Sequence, residues 1–288
     1  MRIISALLLS VLAAAHPAFA TDSELFSYDK AASLNVVEVG QEQRGGATVR
    51  DITFVGVKDP IKAYVVTAAT PGPHAAILYV HWLGDPATTN RTEFLDEAVT
   101  LAGRGVVSLL VDTMWAKPKW YEDRVPEQDF DSSVRQVIEL RRAMDLLLAQ
   151  PGVDPSRVAY VGHDFGAMYG MIAGGLDRRA KTYVFMAGVP HFIEWALFAH
   201  QPKDLEAYKK QITPLDPVNF VPNLAPATVF FQFANKDEYV SATQAAEAYA
   251  AAPVRKQLVT YADGHALHTP AVAADRVAWL ERELGLTK

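Results

Sequence analysis

Three apolar runs, "HAAILYV", "VVSLLV" and "RVAYVG", stand between stretches whose apolar residues recur every three or four positions. That alternation leaves few folds open. Runs without polar alternation read as strands covered on both faces, and the intervening stretches read as amphipathic helices. Strand followed by helix followed by strand builds a mostly parallel sheet with helices on both faces. The spacing predicts helices within 91–103, over about 132–150, after Gly166, within 241–252 and over about 270–284. Strands are expected at "GVVSLLVD", "RVAYVGH", "KTYVFMAG", "ATVFFQFA" and "KQLVTY". Ahead of them, "ATVRDITFVGV" and "IKAYVVTAA" form a hairpin turning at Lys58-Asp59-Pro60. The stretch 190–225 has no clear periodicity and reads as irregular. No internal repeat or low-complexity linker divides the chain, so one α/β domain over residues 21–288 is expected.

Residues 1–20, "MRIISALLLSVLAAAHPAFA", are set apart from that domain. Arg2 gives a positive start, an apolar run follows, and Ala18-Phe19-Ala20 has the small-residue pattern of a leader cleavage site. The run is too short to span a bilayer comfortably. A signal peptide cleaved after Ala20 is therefore expected, with a periplasmic or secreted mature protein beginning at Thr21 and no membrane insertion after the leader is removed. The chain has no cysteine, so neither a disulfide framework nor a lipid-modified N-terminal cysteine is expected. A net charge of −6 without a lysine or arginine run longer than two residues argues against nucleic acid as a partner. Length and composition leave the oligomeric state open.

Within "RVAYVGHDFGAMYGM" a strand, a turn and a helix start meet at Asp164, with Gly162 and Gly166 on either side. Ligand sites of such sheets lie beyond the carboxyl ends of the strands, and glycine neighbours permit the tight approach the turn demands. Asp164 is either a helix N-cap, a favoured place for aspartate, or a functional carboxylate set on a tight turn. Two strand ends downstream bear on the choice. Asp237 follows "VFFQFA" and His265 follows "LVTY", so all three emerge at one edge of the sheet. A nucleophile needs a base, and the base an orienting acid. The order Asp164, Asp237, His265 supplies them, in preference to Glu238 for the acid and to His268 for the base, since Gly264 frees the loop at His265.

From about residue 47 to its C-terminus the chain resembles the α/β-hydrolase superfamily, and in layout its dienelactone-hydrolase-like members. The resemblance rests on the elbow "GHDFG", the acid in "NKDEYV", the histidine in "DGH" and the loop "VHWLGDP" after an early strand. It implies the α/β-hydrolase fold, with a catalytic triad of Asp164, His265 and Asp237. An aspartate in the elbow is similar to haloalkane dehalogenases and epoxide hydrolases, whereas dienelactone hydrolases carry cysteine there and related esterases serine. Those aspartate families insert a substantial helical cap; here only 190–225 is left for one, a short insertion. Phe165 stands where the dehalogenase pattern has tryptophan.

Chemistry separates aspartate from serine. A carboxylate attacking an ester carbonyl gives a high-energy mixed anhydride, but attack on a saturated carbon with a halide or epoxide leaving group gives an ordinary ester. His265 then drives water onto the Asp164 carboxyl carbon while Asp237 holds its ring. Backbone N–H groups of Trp82 and Phe165 are the expected oxyanion donors. His81 is expected behind the oxyanion loop, at the back of the pocket. Trp115, His191 and Tyr239 are expected to line that pocket, and Tyr121 and Tyr169 join Tyr239 as candidate proton donors. His163, inside the elbow, reads as structural. No H-E-x-x-H, P-loop or G-x-G-x-x-G pattern is present, so neither metal nor cofactor is expected. The leading expectation is an exported, cofactor-independent hydrolase acting on a small organic substrate through an enzyme ester. The alternatives are an ester or lactone hydrolase with Asp164 as general base, and a non-catalytic small-molecule binder.

Overall fold

The computed structural model describes residues 24–68, 70–197 and 201–286; the leader expected over 1–20 lies outside them. Nine strands form one sheet: β1 (Val37–Arg44), β2 (Ala47–Val55), β3 (Pro60–Ala68), β4 (His74–Val80), β5 (Val106–Val111), β6 (Val153–His163), β7 (Thr182–Met186), β8 (Thr228–Ala234) and β9 (Lys256–Tyr261). The order across the sheet is β1-β2-β3-β5-β4-β6-β7-β8-β9. The first three strands and the β3–β5 join are antiparallel, and every pair from β5 to β9 is parallel. Among the described residues seven α-helices accompany them: α1 (Leu95–Ala102), α2 (Asp129–Leu148), α3 (Phe165–Leu176), α4 (Ile193–Ala196), α5 (Leu205–Ile212), α6 (Ala242–Ala251) and α7 (Pro270–Leu284). This is the mostly parallel, helix-covered sheet expected from the alternation of runs.

Burial explains why the central strands were legible and the first was not. All residues of β4, β5, β7 and β8 are buried, as strands flanked by helices on both faces must be. The edge strand β1 is exposed along its whole length and shifts register between Glu38 and Gly40. With no buried face, its sequence "VEVGQEQR" carries no strong alternation to read. Among its described residues, the irregular stretch 190–225 contains α4, α5 and three short 3₁₀ turns, at Thr213–Leu215, Pro217–Asn219 and Val221–Leu224. Buried apolar residues from strands and helices belong to one continuous cluster.

Parallel strands place their carboxyl ends on one side, and the loops there carry the functional candidates. β4 delivers the 81–94 loop, β6 ends at the Asp164 turn, β8 leads to Asp237 and β9 to His265. Among the described residues no helix is long and apolar enough to cross a membrane.

Candidate active site

The turn after β6 is built under strain. Asp164 has φ 53° and ψ −114°, a conformation that costs a non-glycine residue on the order of 1–3 kcal/mol and persists only where its surroundings impose it. Its N–H donates to Met186 O at 2.8 Å and its carbonyl accepts from Met168 N at 2.9 Å. A Cβ on Gly162 would collide with the backbone of Gly166, and one on Gly166 with the carbonyls of Val80 and His81. Both glycines are therefore required by the close passage of turn, helix and β4.

Asp164 occupies the N-cap position of α3, yet its side chain caps nothing. Oδ2 instead accepts the Leu83 N–H at 3.0 Å. Oδ1 is buried without a hydrogen-bond partner among the described residues, as is His265 Nε2, and the two atoms face each other at 3.7 Å. On the other side of the ring, His265 Nδ1 lies 3.0 and 2.9 Å from the Asp237 carboxylate oxygens. Asp237 Oδ1 also accepts the N–H groups of Tyr239 and Val240, at 2.8 and 3.0 Å. Asp164, His265 and Asp237 thus converge as the spacing along the chain predicts. Glu238 instead bonds the Tyr239 phenol and pushes its pKa up, and His268 meets Trp82 edge-on at 6.2 Å.

The charge state follows from this arrangement. Burial pulls the His265 imidazole down, but the Asp164 and Asp237 carboxylates outweigh it and push the pKa up to about 10. Burial would raise Asp237, and the bonds from His265 and the two backbone N–H groups hold it below the usual carboxylate range. At neutral pH the site therefore holds an imidazolium between carboxylates. Its folded pKa exceeds the ordinary value of about 6.5, so this group stabilises the fold fully below about pH 6.5, and the contribution fades as pH rises through about 10. We expect the His265 ring resonances to titrate near pH 10 in the intact enzyme and clearly lower in Asp164→Asn, where one carboxylate is gone; unchanged titration in the variant would show that Asp164 does not act on the ring.

Other expected roles need correction. The Trp82 N–H donates to Glu93 Oε2 at 2.8 Å, so it is spent on the loop's own support, and the donor to Asp164 comes one residue later, from Leu83. Phe165 heads α3, where its N–H has no acceptor within the helix. His81 is buried with Nδ1 on Trp82 O at 2.8 Å and Nε2 on Thr113 Oγ1 at 3.0 Å; burial lowers its pKa, and the ring faces protein rather than a pocket. The Trp115 indole is buried and donates to His81 O at 3.1 Å, which removes it as a donor to substrate. His191 is held by Asp216 at 2.9 Å and Glu247 at 3.0 Å. The Asp216 bond, opposed by partial burial and aided by Glu247, pushes its pKa up to about 9, so it ties the 190–225 segment to α6 rather than reaching substrate. Tyr169 OH is paired with Ser133 at 2.8 Å and Tyr121 OH with Trp195 O at 2.8 Å. Tyr239 does border the site, its ring edge-on to His265 at 5.0 Å.

Two residues that the sequence does not single out belong to the surroundings of these groups. Trp195 packs 6.1 Å from His265, 5.6 Å from Tyr239 and 4.9 Å from Phe165. Its only sequence signal is a tryptophan in the loop after a strand end. Glu93 sits behind the site, and no spacing rule points to it. A narrow crevice runs off Phe165 between Trp120, Tyr169, Phe192 and Trp195 to Arg124 and Asp129, with a volume of about 20 Å³, room for about one water molecule. Among the described residues no group of three or more His, Asp and Glu side chains is placed to hold a metal ion.

The comparisons agree with this architecture. Acetyl xylan esterase from Paenibacillus sp. superposes with a TM-score of 0.75 at 18% identity, over 91% of this chain and 92% of that one. Acetyl xylan esterase 1 from Thermoanaerobacterium sp. gives 0.74 at 16% identity, over 92% of each chain. The chain has the α/β-hydrolase fold. A dienelactone hydrolase structure from Klebsiella pneumoniae shares this α/β-hydrolase layout, with a TM-score of 0.60 at 15% identity over 87% of this chain and 98% of that one. No protein-family model matches the sequence. Polyketide transferase ATR5 of Stachybotrys chlorohalonatus is 36% identical over 98 residues, a span of 34% of this chain and only 32% of the transferase.

Proposed function

We propose that this protein is a hydrolase of small organic molecules in which Asp164 attacks a saturated carbon and His265 then directs water onto the resulting enzyme ester. One observation carries the reading: the Leu83 N–H is directed at Asp164 Oδ2 itself, while Oδ1 has no hydrogen-bond partner among the described residues. An oxyanion donor that serves an ester substrate must meet the substrate's carbonyl oxygen. A donor already held by the enzyme's own carboxylate suits a reaction in which the oxyanion forms on that carboxylate.

Attack and hydrolysis follow one another on the Asp164 carboxylate. Oδ1 forms a bond to the substrate carbon as the halide or epoxide oxygen leaves. Asp164 is now a neutral ester, so His265 loses one of the two charges that hold its proton and can release that proton, to an epoxide oxygen or to solvent. Neutral Nε2 takes a proton from water, which adds to the Asp164 carboxyl carbon. Negative charge collects on Oδ2 beside the Leu83 N–H, with Phe165 N–H as second donor. Collapse passes the proton of the new hydroxyl to the departing alkoxide, which releases the alcohol and restores the carboxylate beside a protonated His265, with one carboxylate oxygen now derived from water.

The second reading is ester or lactone hydrolysis with Asp164 as general base. The solved structures named as acetyl xylan esterases and dienelactone hydrolase favour it over carbon–halogen or epoxide chemistry. Single turnover in oxygen-18 water, on whichever halide, epoxide, lactone or aryl ester is turned over, separates the two. Label in the Asp164 peptide after recycling supports attack by Asp164, and label in product with none in that peptide supports the general base. A non-catalytic binder turns over no member of the panel. Export through the 1–20 leader belongs to the same proposal, and an intact mass of exported protein that begins at Thr21 checks it.

A further inference from the structure

Behind the proposed reacting groups lies a second acid–histidine pair. Glu93, in the loop between β4 and α1, places Oε1 2.7 Å from His163 Nδ1 and Oε2 2.8 Å from the Trp82 N–H. His163 directs Nε2 to the carbonyl of His265 at 3.1 Å. The His163 ring is fully buried and the Glu93 side chain is 11% exposed. The Trp82 indole stacks on His163 at 5.3 Å, with the planes 14° apart.

We propose that Glu93 and His163 are positioning residues that lock the oxyanion loop and the His265 loop to one another. The inference rests on the reading that Asp164 and His265 react, and it adds how their relative placement is held. Neither residue touches Asp164. Glu93 fixes the peptide before Leu83, so that the next N–H, that of Leu83, meets Asp164 Oδ2 at 3.0 Å. His163 fixes the backbone of His265, so that Nε2 faces Oδ1 at 3.7 Å while Nδ1 stays on Asp237.

Proton stoichiometry sharpens the proposal. Both partners of the His163 ring, a carboxylate and a carbonyl, are acceptors, so the two bonds need two protons shared by Glu93 and His163. A glutamine at position 93 satisfies the same contacts differently: its oxygen accepts the Trp82 N–H and its amide donates to Nδ1, while Nε2–H still serves His265. Glu93→Gln therefore preserves the lock, whereas Glu93→Ala opens it at the oxyanion loop and His163→Ala opens it at the histidine loop.

The test needs no substrate. Amide and imidazole NMR of the full ¹⁵N-labelled chain reads the Leu83 N–H and the His265 ring protons. We expect Glu93→Ala to move the Leu83 amide proton upfield through loss of its bond to Asp164, and Glu93→Gln to restore it. His163→Ala should broaden or abolish the His265 Nδ1–H signal while leaving the Leu83 amide in place. If Glu93→Ala does not fold, Glu93→Asp, too short by one carbon to span both contacts, carries the same expectation. Unmoved Leu83 and His265 signals in the folded Glu93 and His163 variants overturn the proposal, as does a Glu93→Gln spectrum that matches Glu93→Ala. Failure of the oxygen-18 experiment would instead overturn the reaction assigned to Asp164 and leave these resonances unaffected, so the two failures are distinguishable.

Discussion

Given a substrate that is turned over, His265→Gln should accumulate a covalent adduct on Asp164 that the unaltered enzyme never builds up. A carboxylate needs no deprotonation to attack, so the first step keeps its nucleophile in the variant. With a halide, whose departure needs no proton from His265, the charge balance even shifts in its favour, because Asp164 Oδ1 no longer faces an imidazolium at 3.7 Å; the halide is therefore the substrate class on which the two steps separate. Hydrolysis of the adduct is different, since water needs a base there and glutamine supplies none. Positioned general-base catalysis contributes about 10²–10⁴-fold, so breakdown should slow by that factor while adduct formation changes little. Mass spectrometry of the peptide that spans "GHDFG" should show the added substrate fragment, and Asp164→Asn should show none. Normal turnover by His265→Gln would remove His265 from the mechanism. Slow turnover without adduct would favour Asp164 as general base, because in that mechanism nothing is ever bonded to it.

Much of this centre was legible from strand ends. Asp164, Asp237 and His265 each follow an apolar strand of a parallel sheet, and that topology brings such positions together without any need to know side-chain contacts. The residues that escaped depend on geometry finer than element order. The loop after β4 illustrates it: an error of one residue, Trp82 for Leu83, reverses which N–H faces Asp164, and the deciding fact is the Glu93 carboxylate that claims Trp82. Trp115 and His191 share the strand-end position of Asp164, Asp237 and His265, but the His81 carbonyl takes the Trp115 indole N–H, and the Asp216 and Glu247 carboxylates hold the His191 ring. Position beyond a strand end shows where a side chain starts, whereas its hydrogen-bond partners decide where it points. Likewise β1 was invisible because a fully exposed edge strand has no apolar face to alternate against.

The largest stability effect is expected away from the site, at Arg276 on α7. Its guanidinium lies in the core against the Glu97 carboxylate of α1, with Nε 3.0 Å and the nearer terminal nitrogen 2.6 Å from Oε2; the side chains are 7% and 10% exposed. Burial opposes the charge on Arg276, and Glu97 outweighs it to raise the pKa. The Tyr79 hydroxyl donates to the same carboxylate at 3.1 Å, and the guanidinium stacks 5.2 Å from the centre of the Phe94 ring. Removing one partner of such a pair strands the other charge in a low-dielectric surrounding, a loss of about 3–5 kcal/mol. Arg276→Met should therefore destabilise the fold by about that amount in reversible denaturant unfolding. Replacing both partners tests the cause, since well-packed apolar substitutes for a buried pair are often neutral or stabilising. Arg276→Met with Glu97→Leu should recover the share due to the stranded charge, while the Tyr79 hydroxyl, left without its acceptor, retains a penalty of about 1–3 kcal/mol. A double variant as unstable as Arg276→Met would trace the loss to lost packing of the arginine stem rather than to the stranded carboxylate. The same cycle should leave the His265 titration near pH 10 unmoved, because its controlling charges are Asp164 and Asp237.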